Sequence, residues 1–138
     1  MSDGQGDRHP RIAVINDDSE FLSLMEQVLT DEGYDVDLMR TFSLAHEKVR
    51  DSHPDVVILD IVGGQEERGW TLLELLRLDP RTTEIPVIVC SAAVRALEER
   101  RHVLESQGII AVAKPFGLEQ LRGVIGEALT RSEGVPHM

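Results

Sequence analysis

Five short apolar runs, each separated from the next by an amphipathic stretch, leave this chain few ways to fold. The runs are IAVIN at 12–16, YDVDLM at 34–39, DVVIL at 55–59, PVIVC at 86–90 and IIAVA at 109–113. Four are near-continuously apolar, as expected of strands covered on both faces. The second alternates Tyr34, Val36 and Leu38 with Asp35 and Asp37, which predicts one more solvated face and therefore a sheet edge.

Helical patterns lie between and after the runs. Phe21, Met25, Val28 and Leu29 share one helix face, behind Asp18 or Ser19 as N-cap and ahead of Gly33 as terminator. Thr41 is expected to cap a helix carrying Leu44, Ala45 and Val49 that ends before Pro54. Leu72, Leu73, Leu75 and Leu76 make a strongly apolar third helix, stopped by Asp79-Pro80. A charge-rich fourth helix is predicted over 94–107, and a fifth carries Leu118, Leu121, Val124, Ile125 and Leu129. A strand–helix unit repeated five times, with right-handed crossovers, gives an α/β fold: an open five-stranded parallel sheet with helices on both faces.

Composition narrows the function classes. A chain of 138 residues fits one domain with a real core. Its polar first ten residues and the stretch from Arg131 predict flexible tails at 1–10 and 131–138, flanking a folded domain at 11–130. The formal net charge of -11 argues against a direct nucleic-acid partner, because a phosphate backbone rewards Lys/Arg surfaces. A lone cysteine, Cys90, excludes an internal disulfide and a multi-thiolate zinc site, fits a reducing cytoplasm, and is expected in the core. No apolar run approaches the roughly 20 residues of a membrane span. The histidines show no metal-binding spacing.

Ligands of such sheets bind beyond the carboxyl ends of the strands. There the first strand runs into Asn16-Asp17-Asp18, the third into Asp60, the fourth into Ser91 and the fifth into Lys114-Pro115. Any one of these could be a cap or a loop residue. Gathered along one edge, they make a phosphoryl-transfer site. Crowded carboxylates attract a hard cation such as Mg²⁺, and a carboxylate can attack phosphorus to give an aspartyl-phosphate. A hydroxyl and a lysine can then hold the phosphoryl oxygens.

The segments IAVINDDSEF, PDVVILD, GWTLLELLR, DPRTTEIPVIVCSA and AVAKPF, in this order over about 11–130, resemble the receiver domain of two-component response regulators. The resemblance implies a flavodoxin-like (βα)5 fold with strand order 2-1-3-4-5. Asp60 would be the phosphoacceptor, Ser91 the hydroxyl that grips the phosphoryl group and Lys114 its charged partner. Mg²⁺ would be held by Asp17, by Asp60, by the backbone carbonyl of Val62 and, through water, by Asn16. Pro115 would follow a cis peptide. The implied partners are a histidine kinase or histidine phosphotransfer protein and a downstream protein target, with no membrane contact and a monomer or weak homodimer as the assembly. Such a domain is not an enzyme for another substrate. It catalyses its own phosphotransfer and dephosphorylation, and a stand-alone receiver is expected here.

Three departures from the family pattern stand out. Asn16 replaces an acid, which lowers the negative charge of the site and weakens Mg²⁺ binding unless Asp18 substitutes. The loop IVGGQEERG after Asp60 lacks the usual proline, is one residue longer, and carries Gly63-Gly64, which predicts mobility. Ala111 stands where a switch aromatic is expected, so coupling to the surface of the fourth helix, fifth strand and fifth helix must run through the Ser91 loop and the charged fourth helix, or be weak. Val62 and Ala93 cannot orient an attacking water, which predicts slow self-dephosphorylation. Trp70 is expected to pack at the start of the third helix, and the run Glu98 to Arg101 to form a solvated face. Asn16 and Ala111 favour the competing reading of an interaction module that is not phosphorylated. A haloacid-dehalogenase-like enzyme would need a D-x-D motif after the first strand, which NDDSE does not supply.

Overall fold

A computed structural model of the chain describes residues 9–61, 66–114 and 116–134. The elements alternate: β1 (Arg11–Ile15), α1 (Ser19–Asp31), β2 (Asp35–Met39), α2 (Ala45–Ser52), β3 (Val56–Ile61), α3 (Glu66–Leu78), β4 (Val87–Ser91), α4 (Val94–Ser106), β5 (Ile110–Ala113) and α5 (Leu118–Gly134). All four pairings are parallel, in the order β2-β1-β3-β4-β5, so the alternating second run is an edge strand. All ten elements expected from the sequence are present, in that order.

Successive side chains in a strand point to opposite faces, and the sheet has a core on each side. Ala13, Ile15, Val57, Leu59, Val87 and Val89 pack with residues of α2, α3 and α4. Ile12, Val14, Val56, Ile58, Ile88 and Cys90 pack with α1 and α5. Each fully buried Ile, Leu or Val contributes about 1.5–3 kcal/mol of transfer free energy. The central strands β1 and β3 therefore hold the strand ends, and the site at those ends, in a rigid frame.

The helix ends follow side-chain chemistry where a cap exists. Asp18 is the N-cap of α1, its Oδ1 accepting from the Glu20 N–H at 3.0 Å. Gly33, at φ +93°, provides the left-handed turn that leads into β2. Thr41 does not cap α2. That helix starts at Ala45 behind a turn at Phe42–Leu44, without a side-chain cap, and Phe42 packs against the core instead.

At the other end of the chain, α5 continues to Gly134, into the stretch that composition assigns to a tail. Arg131 explains the extension: it donates to Gly108 O at 2.7 Å and pairs with Glu127 at 2.8 Å. The expected tail residues 1–8 and 135–138, the Gly63-Gly64 loop and Pro115 lie outside the described residues.

Candidate functional site

Strand parity decides which strand-end side chains meet. Asn16 continues the face of Ile12 and Val14, Asp60 that of Val56 and Ile58, and Lys114 that of Val112, all toward α1 and α5. Ser91 continues the face of Val87 and Val89, on the other side. Asp60 and Cys90 are partners across β3 and β4, and Cys90 and Val112 across β4 and β5. A small side chain thus stands between the acceptor strand and Lys114. Cys90 is fully buried, and burial pushes its thiol up to about 12, with Asp60 adding to the rise and Lys114 opposing it. It is a core residue, without thiolate reactivity.

Asp60 is 1% exposed. Burial drives its carboxyl above the ordinary value; Lys114 opposes that rise, and the charges of Asp17 and Asp18 add to it. Two protein donors answer the buried charge. Lys114 Nζ lies 2.6 Å from Oδ1, and Asn16 Nδ2 donates to Oδ2 at 2.5 Å. Among the described residues Oδ1 has no hydrogen-bond partner beyond this charge pair, so it keeps acceptor capacity.

The Asn16 amide is oriented by its other half. Its Oδ1 accepts from the Asp18 N–H at 3.0 Å, so the amine end faces Asp60. A flipped amide would set oxygen against carboxylate and nitrogen against a backbone donor. Asn16 therefore presents a donor to the acceptor residue.

Ser91 is 2% exposed and makes no bond to Asp60. Its Oγ accepts from the Ala93 N–H at 3.0 Å, and that leaves its own proton free to donate. Lys114 is anchored through its backbone, whose N–H donates to Ser91 O at 2.8 Å and extends the β4–β5 pairing. Its side chain is 26% exposed. Ala111 is partly buried against the core, and its carbonyl accepts from Arg101 of α4 at 3.3 Å.

Asp17 and Asp18 are both exposed beside the acceptor. Asp18 is occupied in capping α1, so the acid available to a cation at this edge is Asp17. Among the described residues no group of three His, Cys, Asp or Glu could hold a metal alone. The oxygen donors Asp60 and Asp17, with acceptor capacity left on Asp60, fit a hard cation that keeps part of its water shell. Val62, the expected carbonyl donor, lies outside the described residues.

Around the site, Gly69 of α3 sits directly on Ile61, the residue after the acceptor: a Cβ at 69 would lie 2.9 Å from Ile61 Cγ1. Trp70, in the second turn of α3, packs on the core under Arg100 of α4, whose guanidinium lies 4.2 Å from the ring centre. Arg101 pairs with Glu98 and Glu105 along the solvated face of α4. Sequence reading missed the role of Phe21. It is assigned to the core face of α1, yet its ring also meets Lys114 Nζ at 4.6 Å. The one sequence signal for it is its place in the first helical turn after the acidic loop.

A family profile of the response regulator receiver domain matches residues 12–126. This chain belongs to that family. It is 28% identical over 127 residues to the DNA-binding dual master transcriptional regulator RpaA of Synechocystis, a match covering 92% of this chain and 52% of that protein. It is 32% identical over 108 residues to the protein-glutamate methylesterase/protein-glutamine glutaminase 1 of Anaeromyxobacter dehalogenans, over 77% of this chain and 30% of that enzyme. The chain thus spans about half the length, or less, of these relatives. The fold matches a CheY-like response regulator receiver domain protein of Methanospirillum hungatei, with TM-score 0.76, 24% identity and coverage of 94% of this chain and 100% of that one. As a receiver domain of a two-component system, it is a signalling module. Among the described residues no helix is long and apolar enough to cross a membrane.

Proposed function

We propose that the chain accepts a phosphoryl group on Asp60 from the phosphohistidine of a histidine kinase or histidine phosphotransfer protein and signals to a downstream protein in the cytoplasm. The observation that carries this reading is a buried carboxylate at the end of a central strand with a lysine ammonium 2.6 Å away. An Asp60 oxygen forms the new bond to phosphorus as the histidine N–P bond breaks, and the electron pair stays on the imidazole nitrogen. Lys114 moves from the carboxylate to the incoming phosphoryl oxygens, and the free proton of Ser91 donates to another. Mg²⁺ would be held by Asp17, Asp60 and the Val62 backbone carbonyl, with Asn16 reaching it through water, and would neutralise charge on the transferring group. The domain is otherwise not an enzyme. With a net charge of -11 it does not contact nucleic acid itself, and it works as a monomer or weak homodimer.

One observation favours a second reading, an interaction module that is not phosphorylated. Asn16 Nδ2 donates to one oxygen of Asp60 and the Lys114 ammonium neutralises the other, so the carboxylate already has partners from the protein itself. Incubation with acetyl phosphate, with and without Mg²⁺, separates the two by intact mass. Gain of one phosphoryl group by the wild type but not by Asp60→Ala supports the acceptor; no gain by either supports the module.

A further inference from the structure

Lys114 has a partner besides Asp60. Its Nζ stands 4.6 Å from the centre of the Phe21 ring while lying 2.6 Å from Asp60 Oδ1. Phe21 belongs to the first turn of α1, which Asp18 fixes by capping. The ring is half-buried against the α1–α5 core and lines an apolar groove of about 560 Å³, with Met25, Phe116, Leu118 and Leu121 among its walls. Among the described residues Lys114 is the only charged group lining that groove.

An ammonium on a flexible four-carbon stem has a choice between water and the carboxylate, and the stem alone does not fix it. An aromatic face within about 6 Å attracts the cation through its quadrupole, more strongly where water is excluded. An aliphatic side chain of equal size supplies the wall without that attraction.

We infer that Phe21 is a positioning residue, whose ring face holds the Lys114 ammonium over the acceptor carboxylate. This deepens the proposed phosphoryl-transfer reading and rests on it for the rate consequence alone. The ring keeps Lys114 on the inner side of the site when the carboxylate charge it neutralises is transferred to a phosphoryl group. It also lets the lysine move between the two partners without passing into solvent.

The test uses the full chain and two readouts. Lys48 is the only other lysine in the sequence, so acylation of Lys114 at fixed pH can be normalised to it within one molecule. Phe21→Leu should raise the relative acylation rate of Lys114 about fivefold and lower the initial rate of phosphorylation by acetyl phosphate by a similar factor. Phe21→Tyr should restore both, a rescue that a role in packing alone does not predict. If Phe21→Leu does not fold by circular dichroism, a ring-fluorinated phenylalanine at 21, with the same shape and a weaker quadrupole, takes its place. Equal Lys114 acylation in wild type and Phe21→Leu overturns the inference. A wild type that takes up no phosphoryl group counts against the acceptor reading instead, and the acylation ratio still decides the pairing.

Discussion

Asn16 Nδ2 donates to Asp60 Oδ2 at 2.5 Å, between residues 44 positions apart in the sequence. An amide here gives the acceptor carboxylate a donor built into the protein, where an acid would add a second negative charge and call for a cation. This exchange governs how the site behaves without metal.

Asn16→Asp should therefore cost about 1–3 kcal/mol of stability in the absence of divalent cations, because it sets a carboxylate against buried Asp60. The same change should tighten Mg²⁺ binding about tenfold, as a better oxygen donor joins the set. Calorimetric titration with Mg²⁺ and urea unfolding with and without the ion check both halves. Unaltered Mg²⁺ affinity would show that position 16 does not address the cation.

Asp60 itself burdens the fold at neutral pH. Its carboxyl lies above the ordinary 3.8, chiefly through burial, so the folded state takes up a proton more readily than the unfolded one. The cost of the buried charge is absent well below pH 3.8 and complete once pH exceeds the raised folded value. Asp60→Asn should raise stability at pH 7 by about 1 kcal/mol, with Lys114 free to turn to water. The gain should fade as the solution is acidified toward 3.8. Urea unfolding at several pH values measures it, and a pH-independent difference would point to another cause.

Asp79 behaves in the opposite sense. Its carboxylate accepts from the Arg81 N–H at 2.9 Å and Arg81 Nε at 3.1 Å and contacts His46 Nε2 at 2.8 Å, which ties α2 to the turn after α3. Arg81, through its backbone and then its side chain, holds the carboxyl well below the usual range; burial opposes that fall, and His46 adds a smaller lowering. A lowered folded value makes the contribution complete above about 3.8 and lost as pH falls toward the folded value. Asp79→Ala should lower the thermal midpoint at pH 7, by an amount that shrinks below pH 4. A deficit that persists undiminished in acid would assign the loss to turn geometry.

The glycines of α3 and α5 should respond differently to alanine. A helical Gly→Ala change usually stabilises by up to about 1 kcal/mol. Gly126, with nothing within 4 Å of an added Cβ, should follow that rule. Gly69→Ala should instead destabilise by about 1–3 kcal/mol, because buried Ile61 would have to move beside the acceptor. Denaturant midpoints of the two variants give the comparison directly.

How far the sequence could be read depends on the range of each interaction. Continuous apolar runs and helical periodicity are local signals, and they place all ten elements, with β2 at the edge. Thr41 misleads because its residue type favours caps, yet the packing of Phe42 delays the helix to Ala45. Arg131 misleads because its anchor, Gly108 O, lies 23 positions away. The strand-end positions of Asp60, Ser91 and Lys114 are legible from the motif. The donor role of Asn16 and the ring of Phe21 over Lys114 are not, because each depends on where a distant side chain comes to rest.

The central claim is that Asp60 carries the phosphoryl group, and chemical trapping tests it most directly. Wild-type chain treated with acetyl phosphate and Mg²⁺ is reduced with borohydride, which converts an aspartyl-phosphate to homoserine. Trypsin then releases the peptide spanning 51–68, between Arg50 and Arg68. Fragmentation should place homoserine at position 60 and leave Asp51 and Asp55 of the same peptide intact. Homoserine at another aspartate, or an unmodified Asp60 in a chain that has gained a phosphoryl group, would contradict the account.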